Sequence, residues 1–428
     1  VDSLCNETFS SITQPEALEH FPFNLYELSS VGKIDLKITS CIDFAGGYSK
    51  HGRDLVEYLQ NSGLFNIKLE KIRSDVNIDP FTYNYFKHLT RTEIDEDNFI
   101  EIVVGAPGQL QRLENSKAKY KIGYTMGETF KIPERFLDMC RHCNELFVPT
   151  DLDIVRFSGI KDKLKITKLP LWVDSSRYSH KIKKANLVNV PQNNFVMMFL
   201  GSWNKRKGVH EIVEAFIREF SSKESISLVM ISRYATDPFN DVKRKRDKED
   251  SEKWNILWEY EHILKETDLD KKRDKPHVCI LDVPIDDLIL PGFMINANVC
   301  VGASRGESTW LPGLEFGCLG VTSIQTSWGG HKDYLNEENS YPVTVLEFEK
   351  CDDELYYGIS DYYTDETEMA AISVMFLQER MREAFDNMYF THKKGIKLKG
   401  FVKKEYDKKK RLEDVKDRIL QIAKELGD

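Results

Sequence analysis

The sequence predicts an α/β protein of two open, doubly wound domains facing each other across a cleft. Three observations predict it. Short β-like runs alternate with helical patterns, the grammar of parallel sheets covered on both faces. The alternation breaks once, in the polar stretch H-K-I-K-K-A-N-L-V-N-V-P-Q-N-N around 180–194, and then begins again. The chain has 428 residues, 41% of them hydrophobic, enough for two buried cores.

Residues 1–33 are irregular and polar and read as an extension packed on the first domain. The first round of strands is then I-D-L-K-I-T-S-C-I-D-F (34–44), F-N-I-K-L-E-K-I (65–72), I-E-I-V-V-G (100–105), K-Y-K-I-G-Y (119–124), E-L-F-V-P-T (145–150) and L-K-I-T-K-L-P (164–170). The second round is N-F-V-M-M-F-L-G (194–201), S-L-V-M-I-S (227–232), H-V-C-I-L-D (277–282), A-N-V-C-V-G (297–302), V-T-S-I-Q-T (321–326) and Y-P-V-T-V (341–345). V-H-E-I-V-E-A-F-I-R-E-F (209–220) spaces its apolar residues as an amphipathic helix, and so does the C-terminal R-L-E-D-V-K-D-R-I-L-Q-I-A-K-E-L. The expected domains are 1–185 plus 405–428, closed by the C-terminal helix, and 190–404. The charged insertion 237–275 reads as a solvated segment.

Charge and apolar run lengths exclude some classes. The net charge is −9, against the basic balance of a nucleic-acid binder. No run approaches the 18 or so apolar residues of a membrane span. The N-terminus lacks the pattern of a signal peptide and begins without Met, so the chain reads as trimmed or as a piece of something longer. Cys140 and Cys143 form a lone C-x-x-C in a helix-like segment. With no second pair for zinc, they read as packing residues in a reducing compartment, the cytoplasm.

In open α/β sheets, ligands bind beyond the carboxyl ends of the strands, so chemistry is expected in the following loops. Ala45-Gly46-Gly47-Tyr48 carries paired glycines before a helix, which suits a phosphate but also a plain tight turn. The spacing of Gly46, Gly47 and Gly52 is not that of the dinucleotide fingerprint, which argues against a nicotinamide-dependent oxidoreductase. Gly201-Ser202-Trp203-Asn204-Lys205-Arg206-Lys207-Gly208 puts three cations before a helix N-terminus. They oppose its dipole, so an anion such as a pyrophosphate is expected to compensate them. The strongest loop is Ala303-Ser304-Arg305-Gly306-Glu307-Ser308-Thr309-Trp310-Leu311-Pro312-Gly313-Leu314-Glu315. Pro312 marks a helix start, so Glu307 falls before the helix and Glu315 about a turn into it. Backbone N–H groups of Thr309, Trp310 and Leu311 would face the same space. An ordinary acid stabilising a helix end is the plainer reading of that spacing. Trp328-Gly329-Gly330 follows one strand later. Asp268-Leu269-Asp270 has a metal-binding spacing but sits in the charged insertion, and no metal is expected.

The stretch S-R-G-E-S-T-W-L-P-G-L-E-F-G-C-L-G-V-T-S-I-Q-T-S-W-G-G resembles the donor signature of retaining glycosyltransferases of family 4, which have the GT-B fold of two Rossmann-like domains. G-S-W-N-K-R-K-G-V-H-E-I-V-E-A-F resembles the family's basic loop and helix, and V-P-T (148–150) with K-L-P-L-W-V-D (168–174) the end of its N-terminal domain. The resemblance covers most of 34–345. It implies a UDP- or GDP-linked nucleotide-sugar donor, no required metal or cofactor, and transfer with retention to a glycan, lipid or protein acceptor, with peripheral membrane contact possible. Glu307, Arg206 and Lys207 would be catalytic, with Glu307 on the donor-sugar hydroxyls and Lys207 on the diphosphate. Gly46, Gly47, Ser308, Thr309, Trp310 and Leu311 would line the donor, Glu315 would hold the ribose, and Val283 and Pro284 the base. The first domain would be the acceptor side. The family's usual Arg is replaced by Ser202, so Arg206 would supply that guanidinium. Ser308 and Trp310 stand where the family has glycines and would reshape the sugar pocket. The family's N-terminal His is absent near Ala106-Pro107-Gly108, leaving Glu128 as the acceptor-side candidate. These departures also fit a non-catalytic GT-B protein that binds sugar or a partner.

Overall fold

The computed structural model describes residues 32–42, 46–72, 85–162, 164–178, 182–234, 256–283, 285–351 and 364–427. Most of the N-terminal extension, residues 237–255 of the charged insertion, Ala45 and Pro284 lie outside the described residues. Ile34–Asp428 forms one unit.

Two six-stranded sheets carry the fold. The first is built from β1 (Ile34–Ser40), β2 (Phe65–Lys71), β3 (Ile100–Val104), β4 (Tyr120–Tyr124), β5 (Glu145–Val148) and β6 (Lys165–Lys168), in the order β2-β1-β3-β4-β5-β6. The second is built from β7 (Phe195–Trp203), β8 (Ile226–Tyr234), β9 (His277–Leu281), β10 (Val299–Val301), β11 (Thr322–Thr326) and β12 (Tyr341–Val343), in the order β12-β11-β10-β7-β8-β9. Every pairing in both sheets is parallel. Strands covered on both faces need apolar side chains on both, and β3, I-E-I-V-V, is buried at every position. The short antiparallel pair of β13 (Phe348–Lys350) and β14 (Glu368–Ala370) follows β12.

The helices are α1 (Gly47–Asn61), α2 (Glu134–Cys140), α3 (Asp151–Arg156), α4 (Val209–Glu219), α5 (Ile256–Glu266), α6 (Leu290–Met294), α7 (Leu311–Leu319), α8 (Val374–Asp386), α9 (Met388–Glu405) and α10 (Lys408–Gly427). Leu55, Val56 and Leu59 of α1 share one core with Leu412, Val415, Ile419 and Ile422 of α10 against the first sheet. The C-terminal helix thus covers the first sheet, held by Arg418 Nη2 on the fully buried Glu145 carboxylate at 2.7 Å. On the second sheet, α4, α5 and α8 cover one face, and α7 and α9 pack within the other core. Residues 182–194, in the expected linker, carry neither strand nor helix. Cys140 ends α2 and Cys143 lies just past it, in one apolar cluster, where burial pushes the Cys143 thiol up to about 12. No helix among the described residues is long and apolar enough to cross a membrane.

Each sheet reverses its strand order once, between β1 and β3 and between β7 and β10. Loops diverge at such a point and leave a crevice at the strands' carboxyl ends. The Gly46-Gly47 turn follows β1, the Lys205–Lys207 turn follows β7, and the Glu307 loop follows β10. All three therefore open at a reversal point.

Candidate active site

The basic turn is built by two local devices. Asn204 accepts a hydrogen bond from the Lys207 N–H at 3.0 Å and closes Lys205–Lys207 into one tight turn. Gly208 then has φ +69°, and a Cβ there would strike the Ala303 carbonyl. A glycine after the three cations is a steric requirement of the β7–β10 junction. Arg305 ties this turn to the acidic loop. Its N–H donates to the Arg206 carbonyl at 2.8 Å, its Nε donates to the Lys205 carbonyl at 3.2 Å, and its guanidinium pairs with Glu211 and Glu349.

Lys207 Nζ donates directly to the Glu307 carboxylate. Arg206 Nη1 lies 3.4 Å from the same carboxylate, 3.2 Å from Glu128, and 2.8 Å from the Gly306 carbonyl. Ser304 Oγ donates to Glu307 at 2.8 Å. Burial would push the Glu307 carboxyl up, but Lys207 and then Arg206 outweigh it and hold it down at about 2. Lys207 is itself pulled below its ordinary value by burial and by Arg206, against the attraction of Glu307. The cluster thus holds two cations and two carboxylates drawn from three loops. A folded-state value below the ordinary 4.5 means Glu307 stabilises the fold above that pH and loses this as pH falls toward 2. Between those limits the wild type is expected to lose more thermal stability than Glu307→Gln, and equal losses would contradict the ionised pair.

Glu315, in the second turn of α7, is also buried. Its carboxylate accepts from Lys50 of α1 and from the Tyr178 hydroxyl. Burial lowers Lys50, but Glu315 outweighs it and raises the ammonium above its ordinary value. Asp287, four residues past Val283, adds to the same field. Val283 is exposed just beyond the carboxyl end of β9. Gly46 caps α1, and Gly47 faces Leu311 at the start of α7, where an added Cβ would sit 3.5 Å from its side chain.

The side chains of Ser308 and Trp310 are both buried. Trp310 adopts φ +53°, a left-handed conformation in which a Cβ costs roughly 1–2 kcal/mol. Its indole is buried in the core with Cys300, Leu314 and Tyr334, and its carbonyl accepts from Tyr334 at 2.8 Å. Only the Trp310 backbone remains for the loop. The Ser308 hydroxyl crosses to the other half and donates to Asp153 at 2.6 Å.

That bond belongs to a buried clamp that the sequence did not announce. Asp153 also accepts from Thr150 at 2.8 Å and from the Gly127 N–H at 3.0 Å, and pairs with Arg156 at 2.9 Å. Arg156 donates to the Gly127 carbonyl and, at 3.3 Å, to the Glu307 carbonyl. Both side chains of the pair are almost wholly inaccessible, 1% and 0% exposed. One ion pair on α3 thereby fixes the loops holding Glu128 and Glu307 against each other. His331 is buried behind the same loop, where its Nε2 donates to the Thr326 carbonyl at 2.7 Å and burial pulls it down to about 4, so it is neutral.

The two halves touch here. Phe130 stacks on Trp328 at 5.3 Å, and a Cβ on Gly306 would strike the Glu128 carbonyl. The cavity lined by Lys50, His51, Asp54, Leu171, Trp172 and Leu311 holds only about 10 Å³. Ligand pockets run to roughly 300–1,000 Å³, so this cavity is far too small for a nucleotide as it stands. Gly306→Ala should block full closure. The melting point is expected to fall, because the backbone at Glu128 must give way to the added methyl; an unaltered melting point would contradict the contact.

Solved structures share this architecture. HepE from Anabaena, solved with UDP-glucose, superposes with a TM-score of 0.60 over 91% of this chain and 100% of its own at 9% identity. Sucrose-phosphate synthase from Thermosynechococcus elongatus gives 0.62 over 91% and 99% at 12% identity. A UDP-forming α,α-trehalose-phosphate synthase from Burkholderia xenovorans gives 0.60 over 92% and 100% at 11% identity. No family model and no curated protein sequence matches the chain. The structural neighbours are GT-B glycosyltransferases, and the fold of this chain is GT-B.

Proposed function

We propose that the chain is a glycosyltransferase that moves a sugar from a UDP- or GDP-linked donor to a glycan, lipid or protein acceptor, with retention and without a required metal. The reading puts it in the cytoplasm. The convergence of Lys207, Arg206 and Glu307 at the reversal point of the second sheet is the observation that carries this reading. The GT-B neighbours support it, among them HepE, solved with UDP-glucose.

In this reading the bond from the sugar's anomeric carbon to the diphosphate oxygen breaks, and its electron pair leaves with the diphosphate. Lys207 and Arg206 stabilise that charge as it develops. The acceptor oxygen bonds to the same carbon and passes its proton to the departing diphosphate oxygen. A diphosphate that draws Lys207 away leaves Glu307 to accept hydrogen bonds from sugar hydroxyls. Glu128, across the cluster, faces the acceptor side, and Glu315 holds the ribose once Lys50 is displaced. Donor entry requires opening, and reclosure excludes water.

A thermal-shift screen of nucleotide sugars tests the donor, and release of free nucleotide diphosphate tests turnover. Glu315→Ala is expected to weaken nucleotide binding by roughly 1.5–3 kcal/mol, the worth of a charged hydrogen bond. Unchanged affinity with intact folding would remove the ribose role. The second reading, a non-catalytic GT-B protein that binds sugar or a partner, rests on the missing His near Ala106-Pro107-Gly108. Donor binding without turnover over long incubation would select it.

A further inference from the structure

Residues 388–411 hold ten Lys and Arg against two acids, Glu405 and Asp407, in a chain of net charge −9. Most of this run is α9. Its inward face is Thr391, Gly395, Leu398 and Val402, buried against α7 and β11. Its outward half carries large apolar side chains in water. Met388, Tyr389 and Phe390 are 55%, 67% and 61% exposed, and Ile396 and Phe401 are 50% and 40%. Lys393, Lys397, Lys403 and Lys404 are exposed along the same half, Lys397 in a solvent-exposed pair with Glu338 at 3.5 Å and Lys404 in one with Glu405 at 3.3 Å. The Lys393 ammonium lies 5.4 Å from the centre of the Tyr389 ring. Lys394 is different: it sits over Tyr341 and donates to the Ser340 carbonyl at 2.9 Å, so it belongs to the fold.

Exposed aromatic and aliphatic side chains beside lysines are what an anionic lipid surface takes up. Rings settle at the boundary of headgroups and acyl chains, and ammonium groups meet the phosphates. Single-stranded nucleic acid would also meet the lysines and stack on rings. Met388, Ile396 and Phe401 spread the apolar area along the whole helix, where bases offer it no cover. We propose that the outward face of α9 docks the protein on an anionic membrane surface, with Tyr389 and Phe390 inserted and Lys393, Lys397, Lys403 and Lys404 against lipid phosphates.

The placement is compatible with an open active cleft. Thr391 shares a hydroxyl hydrogen bond of 2.7 Å with Tyr341 at the start of β12, so the aromatic end of α9 lies at the amino ends of the second sheet's strands. The candidate site lies at their carboxyl ends. The docking face is independent of the transferase reading, and either can fail alone.

Co-sedimentation of the full chain with vesicles tests it. The chain is expected to pellet with phosphatidylcholine vesicles containing phosphatidylglycerol, to be released by high salt, and to stay in solution with phosphatidylcholine alone. Tyr389→Ser with Phe390→Ser, and separately Lys393→Glu with Lys397→Glu, should each lower partitioning by more than about tenfold at unchanged melting point. No pelleting with the anionic vesicles at low salt would overturn the proposal. So would pelleting of both double variants as complete as the wild type's, or preferential binding of a single-stranded oligonucleotide over those vesicles.

Discussion

Lys207→Ala combined with Arg206→Ala is expected to abolish measurable transfer while leaving a folded protein. Both cations meet on Glu307. In the proposed reaction they are the groups aimed at the leaving diphosphate. Removing one preorganised donor from a developing charge costs roughly 10²–10³ in turnover, and here two are lost together. The pair also neutralises Glu307, whose burial alone would raise its carboxyl. The variant's Glu307 is therefore expected to take up a proton, which spares the fold a buried bare charge. Initial rates at saturating donor, with a melting curve for each variant, make the measurement. Lys205→Ala is the neighbouring control. Turnover of the double variant within tenfold of the wild type would remove the diphosphate role.

Asp153→Ala is expected to have the largest effect on stability. Asp153 is fully buried and receives Arg156, Thr150, Ser308 and the Gly127 N–H. Its removal leaves Arg156 buried without its counter-ion, and breaking such a pair costs roughly 3–5 kcal/mol. Ser308→Ala removes one hydrogen bond of the set and should cost nearer 1 kcal/mol. Urea unfolding separates the two through their midpoints. Asp153→Ala should also depress turnover beyond its effect on the folded fraction, because Arg156 holds the Glu307 carbonyl and Gly127, next to Glu128. A cost for Asp153→Ala no larger than for Ser308→Ala would contradict the clamp.

The strands were legible because a parallel strand buried on both faces is a continuous apolar run. F-V-M-M-F-L-G and I-E-I-V-V-G announce themselves without any tertiary knowledge. The acidic loop and the basic turn were legible because glycine, proline and charge are spent there in a pattern that helix propensity alone does not require. Asp153 and Arg156 were not. An acid and a base three apart on a short helix read as a solvated surface pair. Only the approach of the Ser308 loop buries them. Lys50 has the same history: a cation near the start of α1 gives no sign that it will meet Glu315 265 residues away. Where the Trp310 ring goes was not legible either, since nothing in the sequence announces a left-handed tryptophan. The left-handed backbone turns the indole into the core. Helix α9 was missed because Gly395 and Gly400 interrupt a lysine-rich run. Gly395 is needed there, since a Cβ would strike the Gly320 carbonyl of α7's end.

The central claim is that the cations after β7 and the acid after β10 form one nucleotide-sugar site. Calorimetric titration of UDP and GDP into the wild-type chain and into Lys207→Ala tests it most directly. Saturable binding of one of the two nucleotides to the wild type is expected, weakened at least about tenfold in the variant, as loss of a charge-assisted contact requires. Wild-type chain that binds neither, or a variant that binds as tightly as the wild type, would contradict it.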